Sequence, residues 1–277
     1  MAEGREHVVG QTKELEPSRA AGEDTQAKER VLSPAEGQTA QAAEVESDDA
    51  NQDTQSLQLA LQRSGLELCR DEAGLSLVGD GMELRADFAE LLSRVKPGRL
   101  QVELLVKAAK VKGAGEPCAV DATAGFGADS FLLAAAGYKV LLFESDPVIA
   151  ALLEDALVRA ADDERTADVV ARMQLVKGDS VLGLGGLGFK PDVVLLDPMF
   201  PERRKSAAVK KKFQLIHRLE QPCSNEEELF GAAVAAGPRK IVIKRPPKGP
   251  FLAGKKPSYS LKSKAVRYDC HVFARGK

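Results

Sequence analysis

The chain from residue 118 onward alternates short, mostly apolar runs with amphipathic segments of helical spacing. The runs have strand length and cover residues 119–122, 139–143, 173–176, 192–196 and 240–243. Helices are predicted between them, most clearly at residues 146–160 and 226–236. This alternation predicts an α/β fold with a doubly wound, mostly parallel, Rossmann-like sheet. The period-two pattern of residues 266–273 predicts an antiparallel hairpin at the sheet edge.

A different pattern precedes this domain. Leu66–Arg70 and Leu75–Val78 alternate apolar and polar positions, and they are separated by residues 71–74 and closed by Gly79–Gly81. This pattern predicts a small N-terminal β subdomain at residues 57–100, followed by the α/β domain at 101–277. The apolar face of a helix leading into the larger domain is predicted at Val102, Leu104, Leu105, Val106 and Ala109.

The first 56 residues have no Phe, Tyr, Trp or Ile, and they carry 13 acidic against 5 basic side chains. Such a segment buries too little apolar surface to offset the entropy lost on ordering. It also lacks the apolar region of a signal peptide. We therefore predict a disordered acidic tail at residues 1–56.

The remaining 221 residues are basic, with 34 Lys or Arg against 28 Asp or Glu. The excess lies at the end, where residues 203–277 hold 19 basic and 5 acidic side chains. A local excess of this size is typical of a polyanion partner, although a basic run alone is more often a solvated surface. The four cysteines are far apart, and no apolar run is long enough to span a membrane. We expect a cytoplasmic protein without a metal site.

Two glycines mark the first strand-to-helix turn, in the sequence Asp121–Asp129 (DATAGFGAD). Gly125 and Gly127 allow a ligand to approach the backbone at a helix N-terminus. A dinucleotide fingerprint would place a third glycine where Ser130 stands, and the carboxylate of Asp129 suits an ammonium or hydroxyl group better than a pyrophosphate. The turn favours S-adenosylmethionine over NAD.

Acidic residues also end the next two predicted strands. Glu144 is placed to accept hydrogen bonds from ribose hydroxyls, a device that NAD enzymes share. Asp179 and Ser180 are placed to meet an adenine base. Helix capping is the alternative for each position alone, and Ser145 and Asp146 are plausible caps before a proline.

The fourth strand is followed by Asp197–Pro201 (DPMFP). This run resembles the (Asp/Asn)-Pro-Pro-(Tyr/Phe) motif of methyltransferases that act on exocyclic amines of nucleobases. In such a motif the Asp197 carboxylate accepts hydrogen bonds from the amine, and the Phe200 ring stacks on the extruded base. Proline restricts the backbone and keeps the turn rigid.

Four runs together resemble the bacterial 16S ribosomal RNA guanine-N2 methyltransferase family of the J type: residues 121–127, 197–201, 205–211 and 242–246. The resemblance spans residues 65–275 and implies a class I methyltransferase fold and S-adenosylmethionine as cofactor. It implies catalytic roles for Asp197 and Phe200. With the glycine turn, the predicted cofactor residues are Asp121, Gly125, Gly127, Ala128, Asp129, Glu144, Ser145, Asp179, Ser180 and Asp197.

The basic cluster gains a role from this resemblance. Phosphate contacts with 16S rRNA or the small ribosomal subunit are predicted for Arg203, Arg204, Lys205, Lys210, Lys211, Lys212, Lys244 and Arg245. Alternatives are an adenine-N6 or cytosine-N4 nucleic-acid methyltransferase and an inactive ribosome-associated RNA-binding protein. An NAD oxidoreductase is disfavoured because the third glycine is missing.

Overall fold

The fold is taken from a computed structural model that describes residues 55–198, 215–216, 218–219 and 225–274. The predicted disordered tail lies outside these residues except at its end, because residues 55 and 56 begin a helix that continues to residue 64. The tail prediction is therefore wrong for these two residues and stays a prediction for the others. We label the helix at 55–64 α1.

A small antiparallel sheet follows, with β1 at Glu67–Asp71, β2 at Gly74–Gly79 and β3 at Met82–Leu84. The first two strands confirm the alternating pattern, and β3 was not predicted because its three residues are too few to show a period. This sheet packs on the larger domain through Leu77 and Leu84, which, with Leu66 just before β1, share a cluster with Val148, Ile149 and Leu152. The division at residue 100 stays a prediction.

The main sheet has seven strands and confirms the predicted fold class. Its order is β6, β5, β4, β7, β8, β10, β9, with the first five strands parallel and the last two antiparallel to their neighbours. The strands are β4 (Cys118–Asp121), β5 (Lys139–Glu144), β6 (Met173–Lys177), β7 (Val193–Leu196), β8 (Lys240–Arg245), β9 (Tyr259–Lys262) and β10 (Arg267–Val272).

Helices cover both faces of this sheet. They are α2 (Leu104–Ala109), α3 (Ala128–Ala135), α4 (Pro147–Ala161), α5 (Ala167–Val170), α6 (Ser180–Gly185) and α7 (Glu226–Ala235), with short 3₁₀ turns at Phe88–Leu91, Leu100–Val102 and Leu252–Gly254. The predicted helix face is wrong at Val102, which lies before α2 and is 62% exposed.

Successive side chains of each strand point to opposite faces of the main sheet, so an apolar core forms on each face. Along β7, Val193 and Leu195 join one apolar cluster, whereas Val194 and Leu196 join the cluster on the opposite face. All four residues are buried, because a parallel sheet in this architecture is covered on both sides. The apolar side chains of the parallel strands are thus buried between helices, and the carboxyl ends of these strands all lie at one edge of the sheet.

The turn at residues 121–129, called the glycine turn below, packs against Phe88 of the N-terminal region. Gly127 has φ +71°, and a Cβ there would lie 2.9 Å from Leu153 Cδ1 and 3.2 Å from Phe88 Cζ. Phe88 in turn stacks on Phe131 of α3, with ring centroids 5.1 Å apart. Gly127 is thus required by conformation and by packing, and the turn is held against the core.

Candidate active site

A cavity of about 1500 Å³ lies at the carboxyl ends of the parallel strands. It is centred where β4 lies between β5 and β7, the point at which the chain order of the sheet reverses. Open α/β sheets bind ligands at such a switch point. The cavity extends past the glycine turn to α1 and β3, which supply Arg63 and Leu84.

All but one of the predicted cofactor residues line this cavity. Gly127 is the exception, because it is buried beneath the turn. One of the acids, Asp179, also caps a helix, because it accepts a hydrogen bond from Val181 in α6. Asp146 caps α4, as the sequence predicts. The lining set is Asp121, Gly125, Ala128, Asp129, Glu144, Ser145, Asp179, Ser180 and Asp197.

The Glu144 carboxylate accepts hydrogen bonds from two backbone amides, one in the glycine turn and one just before α4. Its Oε2 accepts a hydrogen bond of 2.8 Å from the Gly125 amide, and its Oε1 accepts one of 2.8 Å from the Asp146 amide. Burial raises the pKa of Glu144, and these amide donors oppose the rise. A carboxylate has about four acceptor positions, so this side chain retains capacity for a ligand hydroxyl.

The Glu144→Ala substitution should weaken S-adenosylmethionine binding by about 2 to 3 kcal/mol, the scale of hydrogen bonds to a charged group. Calorimetric titration of wild type and variant measures this difference directly. Glu154→Ala is a matched control, because Glu154 lies on the exposed side of α4 in an ion pair with Lys177. Equal dissociation constants for Glu144→Ala and wild type would remove Glu144 from the cofactor site.

Asp121 is a buried carboxyl at the end of β4. The Ser130 hydroxyl donates to its Oδ2 at 2.6 Å, and the Thr123 amide donates to its Oδ1 at 3.1 Å. Burial outweighs these donors and raises the pKa of Asp121 from 3.8 to about 7. The carboxyl therefore titrates close to neutral pH at the floor of the cavity.

This shifted pKa makes stability depend on pH in a defined direction. The unfolded carboxyl ionises near pH 3.8 and the folded one near pH 7, so Asp121 lowers the free energy of unfolding as pH rises across that interval. Asp121→Asn imitates the protonated form and removes this contribution. Denaturant titrations should show the variant gaining stability relative to wild type from pH 4 to pH 7, with no further gain above. A difference that is independent of pH would contradict the assignment.

Asp197 begins the turn after β7. Its backbone amide donates a 2.6 Å hydrogen bond to the Thr123 hydroxyl, which ties the turn to the glycine turn. Its carboxylate lies 2.8 Å from the Lys244 ammonium at the end of β8. Burial raises the pKa of Asp197, and Lys244 opposes that rise. Phe200, the predicted stacking residue, lies outside the described residues.

The structure changes the interpretation of the two basic residues that end β8. Lys244 turns into the cavity, where it contacts Asp129 as well as Asp197, so its charge is matched by carboxylates and its phosphate contact stays a prediction. Arg245 points to the opposite face, with a side chain that is 0% exposed and paired to Glu226. A phosphate could reach Arg245 only if this pair opened, and its predicted phosphate contact stays a prediction as well. The other predicted RNA contacts lie outside the described residues: Arg203, Arg204, Lys205, Lys210, Lys211 and Lys212.

The cavity suits S-adenosylmethionine in charge and shape. Glu144 can accept hydrogen bonds from ribose hydroxyls, and the carboxylate of Asp129 can accept one from the ammonium group of an amino acid. Gly125 has φ +55°, and apart from its chain neighbours no atom of the described residues lies within 4 Å of where its Cβ would be, so the backbone there is open to a ligand. Across the described ranges, no group of three or more His, Cys, Asp or Glu residues is placed to hold a metal. None of the helices described is long and apolar enough to cross a membrane.

The fold and the cavity define a methyltransferase that uses S-adenosylmethionine, and comparison with known proteins agrees. A family model described as a putative SAM-dependent methyltransferase matches residues 40–273. "Ribosomal RNA small subunit methyltransferase J" of Pseudomonas fluorescens is 41% identical over 226 residues, covering 76% of this chain and 87% of that protein. The enzyme of the same name from Neisseria meningitidis is 40% identical, covering 73% and 81%. The chain belongs to the ribosomal RNA small subunit methyltransferase J family.

A solved structure supports this assignment. The crystal structure of a SAM-dependent methyltransferase from Neisseria gonorrhoeae is 33% identical to this chain. It superimposes with a TM-score of 0.61, over 74% of this chain and 81% of the other. S-adenosylmethionine is therefore the cofactor of this enzyme, as the glycine turn predicts.

Proposed function

We propose that this enzyme transfers a methyl group to the 2-amino group of a guanine in 16S rRNA. The observation that carries the proposal is the 41% identity to a small-subunit ribosomal RNA methyltransferase over 87% of its length. The position of Asp197 at the edge of a cofactor-sized cavity supports it, because an acceptor is needed there for an exocyclic amine. Such a substrate is made in the cytoplasm, where we propose that the enzyme works.

The chain contributes mainly positioning. When bound, the cofactor supplies a methyl carbon that bonds to the amine nitrogen as its bond to sulfur breaks and the electron pair stays on sulfur. Asp197 accepts a hydrogen bond from the amine and orients its lone pair toward the methyl carbon, and one amine proton then passes to water. Holding the reactants in line supplies much of the acceleration in such a reaction. We assign base stacking to Phe200.

The basic residues between 203 and 212 are proposed to hold the RNA. They follow the Asp197 turn directly in sequence and form the densest basic run after it. Contacts from Lys and Arg to phosphates position the RNA without selecting a base and make its binding depend on salt. Base selection is assigned to the cavity itself.

The substrate is tested by mapping modified nucleotides in 16S rRNA from cells with and without the gene. We expect one N2-methylguanine to disappear and to return when small subunits from the deletion strain are incubated with purified enzyme and cofactor. If an N6-methyladenine or an N4-methylcytosine disappeared instead, the target base would be adenine or cytosine and not guanine. An unchanged methylation pattern, with no incorporation in vitro, would favour an RNA-binding protein without catalytic activity.

A further inference from the structure

The ammonium group of Lys244 lies between two carboxylates from different elements. Its Nζ is 2.7 Å from Asp129 Oδ2, on the first turn of α3, and 2.8 Å from Asp197 Oδ2, after β7. In the parallel pairing of β7 with β8, Leu196 lies opposite Ile243. The next residues, Asp197 just after β7 and Lys244 within β8, are therefore neighbours across the sheet.

This arrangement is partly shielded from solvent. The exposed fractions of the side chains are 15% for Asp129, 31% for Lys244 and 40% for Asp197. Water therefore screens these ion pairs less than it screens fully exposed ones, and least at the Asp129 end. The carboxylates raise the pKa of Lys244 although burial alone would lower it, and the lysine is charged at any physiological pH.

Lys244 also offsets an excess of negative charge near Asp197. Among the residues that the structure describes, the charged and titratable groups that act on Asp197 are Asp121 from β4, Asp129 from α3, Lys244 and Arg245 from β8, and Tyr268 from β10. Of the two cations, only Lys244 touches the carboxylate, because Arg245 points to the other face. Without Lys244, the converging carboxylates would favour protonation of one of their number.

We propose that Lys244 is a positioning residue, which keeps Asp197 ionised and fixes one of its oxygens so that the other can accept a hydrogen bond from the target amine. An ionised carboxylate is the stronger acceptor, and a fixed one loses less entropy when the amine arrives. The inference rests on the proposed function for its catalytic meaning. The coupling of Lys244 to Asp197 is a property of the protein alone.

The first test follows the Asp197 carboxyl itself. An NMR titration of the protein with ¹³C-labelled aspartate, in which Asp197→Asn identifies the resonance, is carried out on wild type and on Lys244→Met. The titration midpoint of Asp197 should move upward by about one pH unit or more in Lys244→Met. In Lys244→Arg, which keeps a cation at this position, the midpoint should lie close to that of wild type. An unmoved midpoint would overturn the proposal, whatever the RNA substrate is.

The second test uses single-turnover methylation of small subunits at saturating RNA and cofactor across pH. At the acidic end of the range, below the wild-type midpoint, Lys244→Met should react about tenfold more slowly than wild type for each pH unit of midpoint shift, and the deficit should narrow toward about pH 9, where Asp197 is ionised without help. If the NMR midpoint moves but no substrate is methylated by wild type, the proposed function fails while the coupling stands.

The matched control is Lys240→Met, on the same strand. Lys240 is buried and donates hydrogen bonds to the carbonyls of Ala108 and Lys110, so the variant loses a buried lysine without touching the cavity. It should lower the melting temperature and leave the pH profile unchanged. A rate loss in Lys244→Met that is the same at every pH would show a structural role only. Should Lys244→Met not fold, Lys244→Gln takes its place in both tests.

Measuring cofactor affinity distinguishes the proposed role of Lys244 from a third possibility, direct binding of the cofactor. If Lys244 served chiefly to bind the carboxylate of S-adenosylmethionine, Lys244→Met would raise the dissociation constant more than about tenfold without moving the Asp197 midpoint. Calorimetry on the same samples measures this constant. The proposal requires the opposite pattern, with a shifted midpoint and a smaller change in affinity.

Discussion

Asp197→Ala should lower the single-turnover rate of methyl transfer by about 100 to 1,000-fold, the range seen when one preorganised polar group is removed from a reacting centre. The variant loses the acceptor that orients the amine, and it leaves the Lys244 ammonium facing the substrate with one carboxylate fewer. Quench-flow measurement at saturating RNA and cofactor isolates this step from binding.

Two further variants make that result specific. Asp197→Asn keeps a carbonyl oxygen at the same place and should retain more activity than alanine. Asp162→Ala makes the same substitution at the exposed C-terminus of α4, away from the cavity, and should react like wild type. Near-normal turnover in Asp197→Ala would remove this residue from the chemistry.

Replacing Phe131 by alanine should lower the free energy of unfolding by about 3 to 5 kcal/mol, the largest effect on stability that we expect. Its ring is 0% exposed, lies in the first turns of α3 and stacks on Phe88. The substitution leaves a cavity beneath the glycine turn and removes the contact that joins the turn to the N-terminal region. Chemical denaturation followed by circular dichroism measures the loss.

Phe189→Ala is the corresponding surface control. Phe189 is 41% exposed, and its loss should change the free energy of unfolding by about 0.5 kcal/mol or less. If Phe131→Ala were as mild as this control, the packing that we assign to the turn would be wrong. A stable Phe131→Ala protein with weakened cofactor binding would show that the ring supports the site rather than the fold.

Sequence patterns located the five parallel strands and β10 of the edge hairpin because each buried strand carries its own apolar signal. They missed β3 and β9, which are short or mostly exposed, so burial leaves no period in the sequence. The cavity residues were predictable for a related reason. The carboxyl ends of parallel strands meet at one edge, so polar residues that follow the strands converge there whatever the details of packing.

By itself the sequence determined the α/β architecture, the cofactor class and the polar residues at the strand ends, because each depends on local pattern or on a short motif. Tertiary structure decided which basic residue enters the site. Lys244 and Arg245 are neighbours of similar charge, but successive strand residues point to opposite faces, and one meets Asp129, 115 positions away in the chain, while the other meets Glu226. Pairing across such separations depends on how helices pack on the sheet, which no local pattern records.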